Sequence, residues 1–204
     1  DLSAFYLDVV KDRAYCSAKG SLERRSAQTA MFTVLRDSLL LMAPILSFTA
    51  EEAWAYVPGF PGKDPSVHLG EFPGPTDWLA SKPASFVADT ERLLAVREKA
   101  LKELEKARES KLIGNALEAK VTLRAPAAEA AFLGARRDDL AALFIVSQVE
   151  VVPDAGPAEP AVEVVKAEGT KCERCWNYSA YVGRSAAHPT FCARCEKAVE
   201  AGRS

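Results

Sequence analysis

The stretch KCERCWNYSAYVGRSAAHPTFCARC, residues 171–195, constrains this chain more than any other. Cys172, Cys175, Cys192 and Cys195 stand in it as C-x2-C-x16-C-x2-C. Two Cys-x-x-Cys turns at that distance bring four thiolates within reach of one tetrahedral ion. Each turn also aims backbone N–H groups at its sulfurs and so stabilises their charge. Lys171, Arg174 and Arg194 add positive charge beside them. Two disulfides are the rival arrangement, but nothing else in the sequence points to secretion. A redox dithiol needs one such pair on a βαβ scaffold, not two. The reading is one Zn²⁺ per chain, with rubredoxin-like iron left open because it takes the same ligands. Four thiolates leave no open coordination position, so the metal is expected to be structural rather than catalytic. Such an ion contributes about 10–16 kcal/mol to the folding of a module that lacks its own core. His188 could replace one sulfur, but no cysteine is missing; Cys16 and His68 stand alone and read as structural.

Trp176, Tyr178, Tyr181 and Phe191 lie among Lys171, Arg174, Arg184 and Arg194. Aromatic rings interleaved with cations can stack splayed bases and neutralise phosphates, the usual grip on single-stranded RNA. Tyr178 and Phe191 read more simply as the miniature core of the cysteine turns. Trp176 fits either role. Charge points the same way. Six of the 26 Lys/Arg and three of the 28 Asp/Glu fall in residues 171–204, leaving 20 against 25 in residues 1–170. A basic tail on an acidic body fits a localised anionic partner.

The rest of the chain reads as mainly helical. Leu2, Phe5, Tyr6, Val9 and Val10 form a helical stripe over residues 2–16, with Arg13 at its edge. A second helix after Gly20 carries Ala27, Ala30, Met31, Val34, Leu35, Ser38, Leu39 and Met42 on one side, and Pro44 is expected to end or bend it. Thr49-Ala50-Glu51-Glu52 has the form of a capping box opening a third. Residues 58–75, rich in Gly and Pro, read as a long surface loop. A fourth helix is expected from Ser85 to Ser110, with Leu93, Val96, Ala100, Leu104 and Ala107 as its apolar seam. These stripes read as core packing.

After Gly114-Asn115, taken as a left-handed helix stop, the period changes. Leu117, Ala119, Val121 and Leu123 alternate with Glu118, Lys120, Thr122 and Arg124 as in a half-buried strand. Short helices near 127–133 and 137–143 lead to FIVSQVEVV, a second strand; PDAGPAEP is a loop and VEVVKA, residues 162–167, a third strand. The fold class is α+β, mainly α-helical: a helical bundle over 1–110, a small α+β junction over 111–168 and a four-cysteine zinc-ribbon or knuckle module over 169–204. The longest apolar runs fall short of the roughly 20 residues a membrane span needs. The start, DLSAFYLDVVKDRAY, is neither a signal peptide nor an initiator sequence. It begins inside an amphipathic helix, so the chain is expected to be part of something longer.

Taken together, these segments resemble the C-terminal part of bacterial-type isoleucyl-tRNA synthetase. DLSAFYLDVVKDRAY and LMAPILSFTAEEAW are similar to the family's helical anticodon-binding domain, KLIGNALEAKVTL to its junction, and KCERCW with FCARC to its terminal zinc motif. The resemblance covers nearly the whole chain. It implies a class I ligase that charges isoleucine tRNA using ATP and Mg²⁺ in a catalytic domain. The family's His-x-Gly-His and Lys-Met-Ser-Lys-Ser signatures are absent here, as are the early helices of its anticodon domain. This chain is therefore expected to hold no catalytic residue and to be inactive alone.

On the resemblance, the metal ligands are Cys172, Cys175, Cys192 and Cys195. The tRNA-contact candidates are Arg174, Trp176, Lys171 and Arg194, with Lys11, Arg13, Arg24 and Arg25 in the helical region. For any single helical cation a solvated face is the plainer reading. The implied partners are the anticodon region of isoleucine tRNA and the rest of the synthetase chain, in a cytoplasmic monomer with no membrane contact. Two rivals stand beside it: the zinc finger of a DNA repair glycosylase, and a protein-interaction zinc ribbon.

Overall fold

A computed structural model describes residues 2–74, 82–157 and 159–202. The architecture is α+β and mainly helical, as the sequence pattern predicts. Its contacts gather into two compact units, Asp1–Gly20 with Ala84–Ser204, and Ser21–Pro83. Among the described residues no helix is long and apolar enough to cross a membrane.

The larger unit is built on a three-stranded sheet ordered β2-β1-β3, with β1 (Ala119–Ala125) central. β2 (Gln148–Pro153) runs parallel to β1, and β3 (Ala161–Lys166) antiparallel. A parallel neighbour demands a crossover, which α5 (Ala127–Gly134) and α6 (Arg137–Phe144) supply. Ala119, Val121, Leu123 and Ala125 are fully buried on one face of β1. They share one core with Val96, Ala100, Leu104 and Ala107 of α4 (Phe86–Glu109), the seam expected from its spacing. Thr122 departs from strict alternation and is buried on the opposite face, where Glu150 and Glu163 flank it in register. Leu117 belongs to a single 3₁₀ turn, 116–118, which the Asn115 side chain caps, so the strand starts two residues later than its period predicts.

Two helix stops also differ from expectation. α4 ends through Lys111 at φ 59°, not through Gly114. The amide of Leu112 donates to the Ala107 carbonyl at 2.9 Å and that of Lys111 to Arg108 at 2.9 Å, the paired bonds of a Schellman stop. FIVSQVEVV is not all strand: Phe144 closes α6, Ile145 turns left-handed at φ 58°, and pairing begins at Gln148. A β-branched residue there is uncommon, and periodicity could not reveal it.

In this unit residues 2–6 form one π-helical turn before α1 (Leu7–Cys16). Of the predicted stripe only Val10 is buried, while Leu2 is 47% exposed. Phe5 stays half-covered, with the Arg97 guanidinium 4.5 Å over its ring.

The smaller unit packs α3 (Ser47–Tyr56) on the C-terminal end of α2 (Leu22–Met42), and Pro44 lies in the turn between them. Its core is Leu39, Leu40, Ala43, Ala50, Trp54, Val57 and Val67. The predicted α2 face is therefore corrected: Ala27 and Leu39 are buried, but Ala30, Val34, Leu35 and Met42 are exposed. A 21-residue helix is far longer than the short partner that covers its end. The capping box is corrected too, because α3 already begins at Ser47 and Thr49 lies inside it. Glu51 instead accepts from the Ser66 hydroxyl and the Val67 amide, both at 2.9 Å. That bond pins the Gly/Pro-rich loop, which holds a short 3₁₀ turn at Val67–Leu69; its last expected residue, Pro75, lies outside the described residues.

Candidate metal centre and nucleic-acid surface

The cysteine segment leaves the sheet through a short hairpin, β4 (Thr170–Lys171) with β5 (Tyr178–Ser179). Gly169, at φ +91°, makes the approach possible: a Cβ there would lie 2.4 Å from the Ser179 carbonyl carbon. The Gln148 side chain bonds both the amide and the carbonyl of Glu168, at 2.9 and 2.8 Å. The Tyr178 amide donates to the Ser147 hydroxyl at 2.7 Å. Cys172 and Cys175 sit in this hairpin's turn, Cys192 caps α7 (Ala193–Glu200), and Cys195 lies in that helix's first turn. α7 went unread in the sequence because three of its first four residues carry ligand-type or charged side chains rather than an apolar period.

All four sulfurs lie within 4.8 Å of one another and all four residues are buried. Zn–S bonds of about 2.3 Å put tetrahedral sulfurs roughly 3.8 Å apart, and the Cys175 and Cys192 sulfurs are 3.7 Å apart. The Cys192 amide points at the Cys172 sulfur at 3.3 Å. Ionisation within the cluster is uneven. Hydrogen bonding from Cys192, and then Cys195, pulls the Cys175 thiol far below the ordinary cysteine range. The same sharing with Cys175 pushes Cys192 and Cys195 up. Four buried sulfurs at tetrahedral spacing make a donor set that a divalent cation completes. The donor set therefore fits a closed four-thiolate ion.

His188 is no ligand in this arrangement; its ring stacks on Phe191 at 5.2 Å. Phe191 and Val182 pack against the cysteines, so Phe191 serves as core, as its spacing suggests. Cys16, read from the sequence as structural, is part of this core. This thiol at the end of α1 is buried against the cluster, its sulfur donating to the Arg174 carbonyl at 3.8 Å. Burial, and next the Asp12 carboxylate, raise its pKa to about 11. Nothing in linear spacing marks a partner 158 residues away.

The RNA candidates divide into two sets. Trp176 is 60% exposed, and Lys171 holds its ammonium 5.5 Å over the ring. The Trp176 backbone is left-handed, φ 66°, while its amide closes the turn on the Cys172 carbonyl at 2.8 Å. Arg174 and Arg194 are instead engaged with other groups of the protein, Arg174 half-buried and Arg194 half-exposed. Arg174 donates to the Cys16 carbonyl at 2.5 Å and the Cys195 sulfur at 3.6 Å. Arg194 forms a two-pronged pair with Asp12, one bond at 2.7 Å, which raises its pKa further above the ordinary guanidinium range. On α1, Lys11 pairs with Asp8 at 2.6 Å and Arg13 with Asp139 at 3.0 Å. Arg24 and Arg25 lie at the start of α2 in the smaller unit, Arg25 exposed and Arg24 partly covered.

Residues 1–123 match the family described as the anticodon-binding domain of tRNA ligase. The chain belongs to that family. Residues 169–198 also match a zinc finger found in FPG and IleRS, which takes in the four clustered cysteines. The chain is 50% identical over 96% of its length to an isoleucine–tRNA ligase of Syntrophotalea carbinolica, covering 22% of that protein. It is 44% identical to the isoleucine–tRNA ligases of Geobacter sulfurreducens and Dichelobacter nodosus, over 98% of the chain in each case and 22% and 21% of those proteins. The chain thus spans about a fifth of the length of these curated relatives.

Proposed function

We propose that this chain is the anticodon-reading end of an isoleucine tRNA ligase, with Trp176 presented to an RNA base by a zinc-held turn. The observation that carries the reading is the conformation of Trp176. A left-handed backbone costs an L-residue about 1–2 kcal/mol and is free to glycine. Yet the position holds the largest side chain, turned mostly to solvent beside a lysine. Local strain that folding does not need marks a site kept for contact. A ring with a cation over one face offers its other face to a base.

In this reading Cys172, Cys175, Cys192 and Cys195 hold one Zn²⁺. When bound, the ion cross-links the hairpin to α7 and does no chemistry, since four thiolates close its coordination. The functional segments are the helical anticodon-binding part, 1–110, the junction, 111–168, and the zinc module, 169–204. Lys171 is the leading phosphate contact in the module, while Lys11, Arg13, Arg24 and Arg25 form a second, helical set of RNA cations. The parent protein charges isoleucine tRNA with ATP and Mg²⁺ elsewhere in a cytoplasmic, monomeric chain; this segment alone catalyses nothing. The match of residues 1–123 to a tRNA-ligase domain favours this over a glycosylase finger, which by itself would account only for residues 169–198.

Equilibrium binding of the zinc-loaded chain to three probes tests the proposal. We expect an isoleucine-tRNA anticodon stem-loop to bind more tightly than an unrelated stem-loop, and both more tightly than a DNA duplex. Preference for the duplex would favour the repair-type finger, and no binding to any probe would favour a protein-interaction ribbon.

A further inference from the structure

Arg174 lies in the first cysteine turn and, half-buried, reaches toward the end of α1. Its Nη1 donates to the Cys16 carbonyl at 2.5 Å and the Cys195 sulfur at 3.6 Å, and its Nη2 to the Tyr15 carbonyl at 3.4 Å. The contact is reciprocal, because the Cys16 thiol donates to the Arg174 carbonyl. Across the same seam, Arg194 of α7 grips Asp12 of α1 with both Nη atoms. Tyr15 and Cys16 carry two of the orphan carbonyls at the C-terminus of α1, where the helix dipole places partial negative charge. The Cys195 sulfur is negative whenever it ligates a metal.

We infer that Arg174 is a positioning residue that couples the metal site to α1. Its guanidinium neutralises a helix end and a metal-ligating sulfur at once, so Arg174 is not a phosphate contact. This rests on the reading of the four cysteines as a metal site. The planar fork of arginine, permanently charged, reaches three acceptors here; lysine is a point donor and spans fewer. With the metal in place the sulfur holds the guanidinium, which in turn holds α1. Arg194 and Asp12 supply the second point of attachment. The two points fix the direction in which the turn presents Trp176, two residues beyond Arg174.

The test uses the full chain loaded with Co²⁺, whose thiolate charge-transfer band reports on the sulfurs. Loss of a partner next to a ligand typically lowers metal affinity about 10- to 100-fold. We expect that loss for Arg174→Ala, together with a charge-transfer band at lower energy, since a sulfur without its N–H donor is easier to oxidise. Amide exchange at residues 13–17 should quicken in the same variant, and in metal-free wild type. Arg174→Lys keeps the charge and tolerates folding, and should recover part of the affinity but not the band position. Metal affinity, band and amide exchange all at wild-type values in both variants would overturn the coupling. A wild-type chain that binds no Co²⁺ at the four cysteines would instead overturn the metal reading on which it rests.

Discussion

Replacing Trp176 by glycine and, separately, by alanine divides its backbone from its ring. At φ 66°, alanine keeps the left-handed cost of about 1–2 kcal/mol. Glycine escapes that cost but gives up roughly 0.5–1 kcal/mol of extra chain entropy. Glycine should therefore leave the turn about 0.5–1 kcal/mol more stable than alanine does. Both lose the Lys171 cation–π contact, worth about 0.5–1 kcal/mol at an exposed site. Trp176→Gly is then nearly neutral for the turn, while Trp176→Ala weakens it. Amide exchange of residues 172–177 in the zinc-loaded chain reads this local opening, with alanine about 2- to 5-fold faster than glycine. RNA affinity should not follow stability. Both variants lose a stacked base, about 1–3 kcal/mol or about 5- to 150-fold in Kd, although glycine preserves the turn and its metal. Equal exchange in the two variants would refute the argument from strain. Wild-type binding by Trp176→Gly with its metal retained would show that the ring touches no RNA.

Other outcomes follow from the fold. Lys111→Gly should stabilise the chain by about 0.5–1 kcal/mol, because an exposed lysine occupies the left-handed position of the α4 stop; an unchanged or lower urea midpoint would count against it. Leu104→Ala should cost about 2–5 kcal/mol, since Leu104 is fully buried between α4 and the sheet; a loss under 1 kcal/mol by urea denaturation would show that the core is loosely packed there. Chelation should remove helical signal only in proportion to α7 and the end of α1, and abolish amide protection over 172–195; collapse of all helical circular dichroism would make the larger unit one cooperative whole with its metal. Lys171→Ala should flatten the salt dependence of RNA binding by about 0.7 in the log–log slope, one phosphate's worth on a single strand, whereas Arg174→Ala should not; the reverse result would exchange their roles.

How much of this was legible in the sequence varies with the range of the interaction. The α4 seam, α5, α6 and the alternation of β1 follow from local period, and their burial matches it. The cysteine cluster was legible because metal-ligand spacing is itself a tertiary statement. Helix stops were not, since Lys111 and Ile145 adopt left-handed backbones that composition assigns to Gly114-Asn115 or to a strand. The face of α2 misled because apolar spacing shows which residues could be covered, not how much of a 21-residue helix its neighbours reach. The contacts of Arg174 and Arg194 within the protein were hidden for the same reason. A cation beside a cysteine turn looks alike whether its acceptors are phosphates or carbonyls about 158 residues away in sequence. Cys16, a lone cysteine, was legible as structural, but nothing local named its partners.

The central claim is that the zinc-held turn places Trp176 against an anticodon base. Its most direct test is ultraviolet crosslinking of the zinc-loaded chain to an isoleucine-tRNA anticodon stem-loop, with the adduct located by mass spectrometry. The account predicts an adduct on Trp176 that disappears on chelation. Adducts confined to residues 22–42, or an adduct on Trp176 that persists without metal, would contradict it.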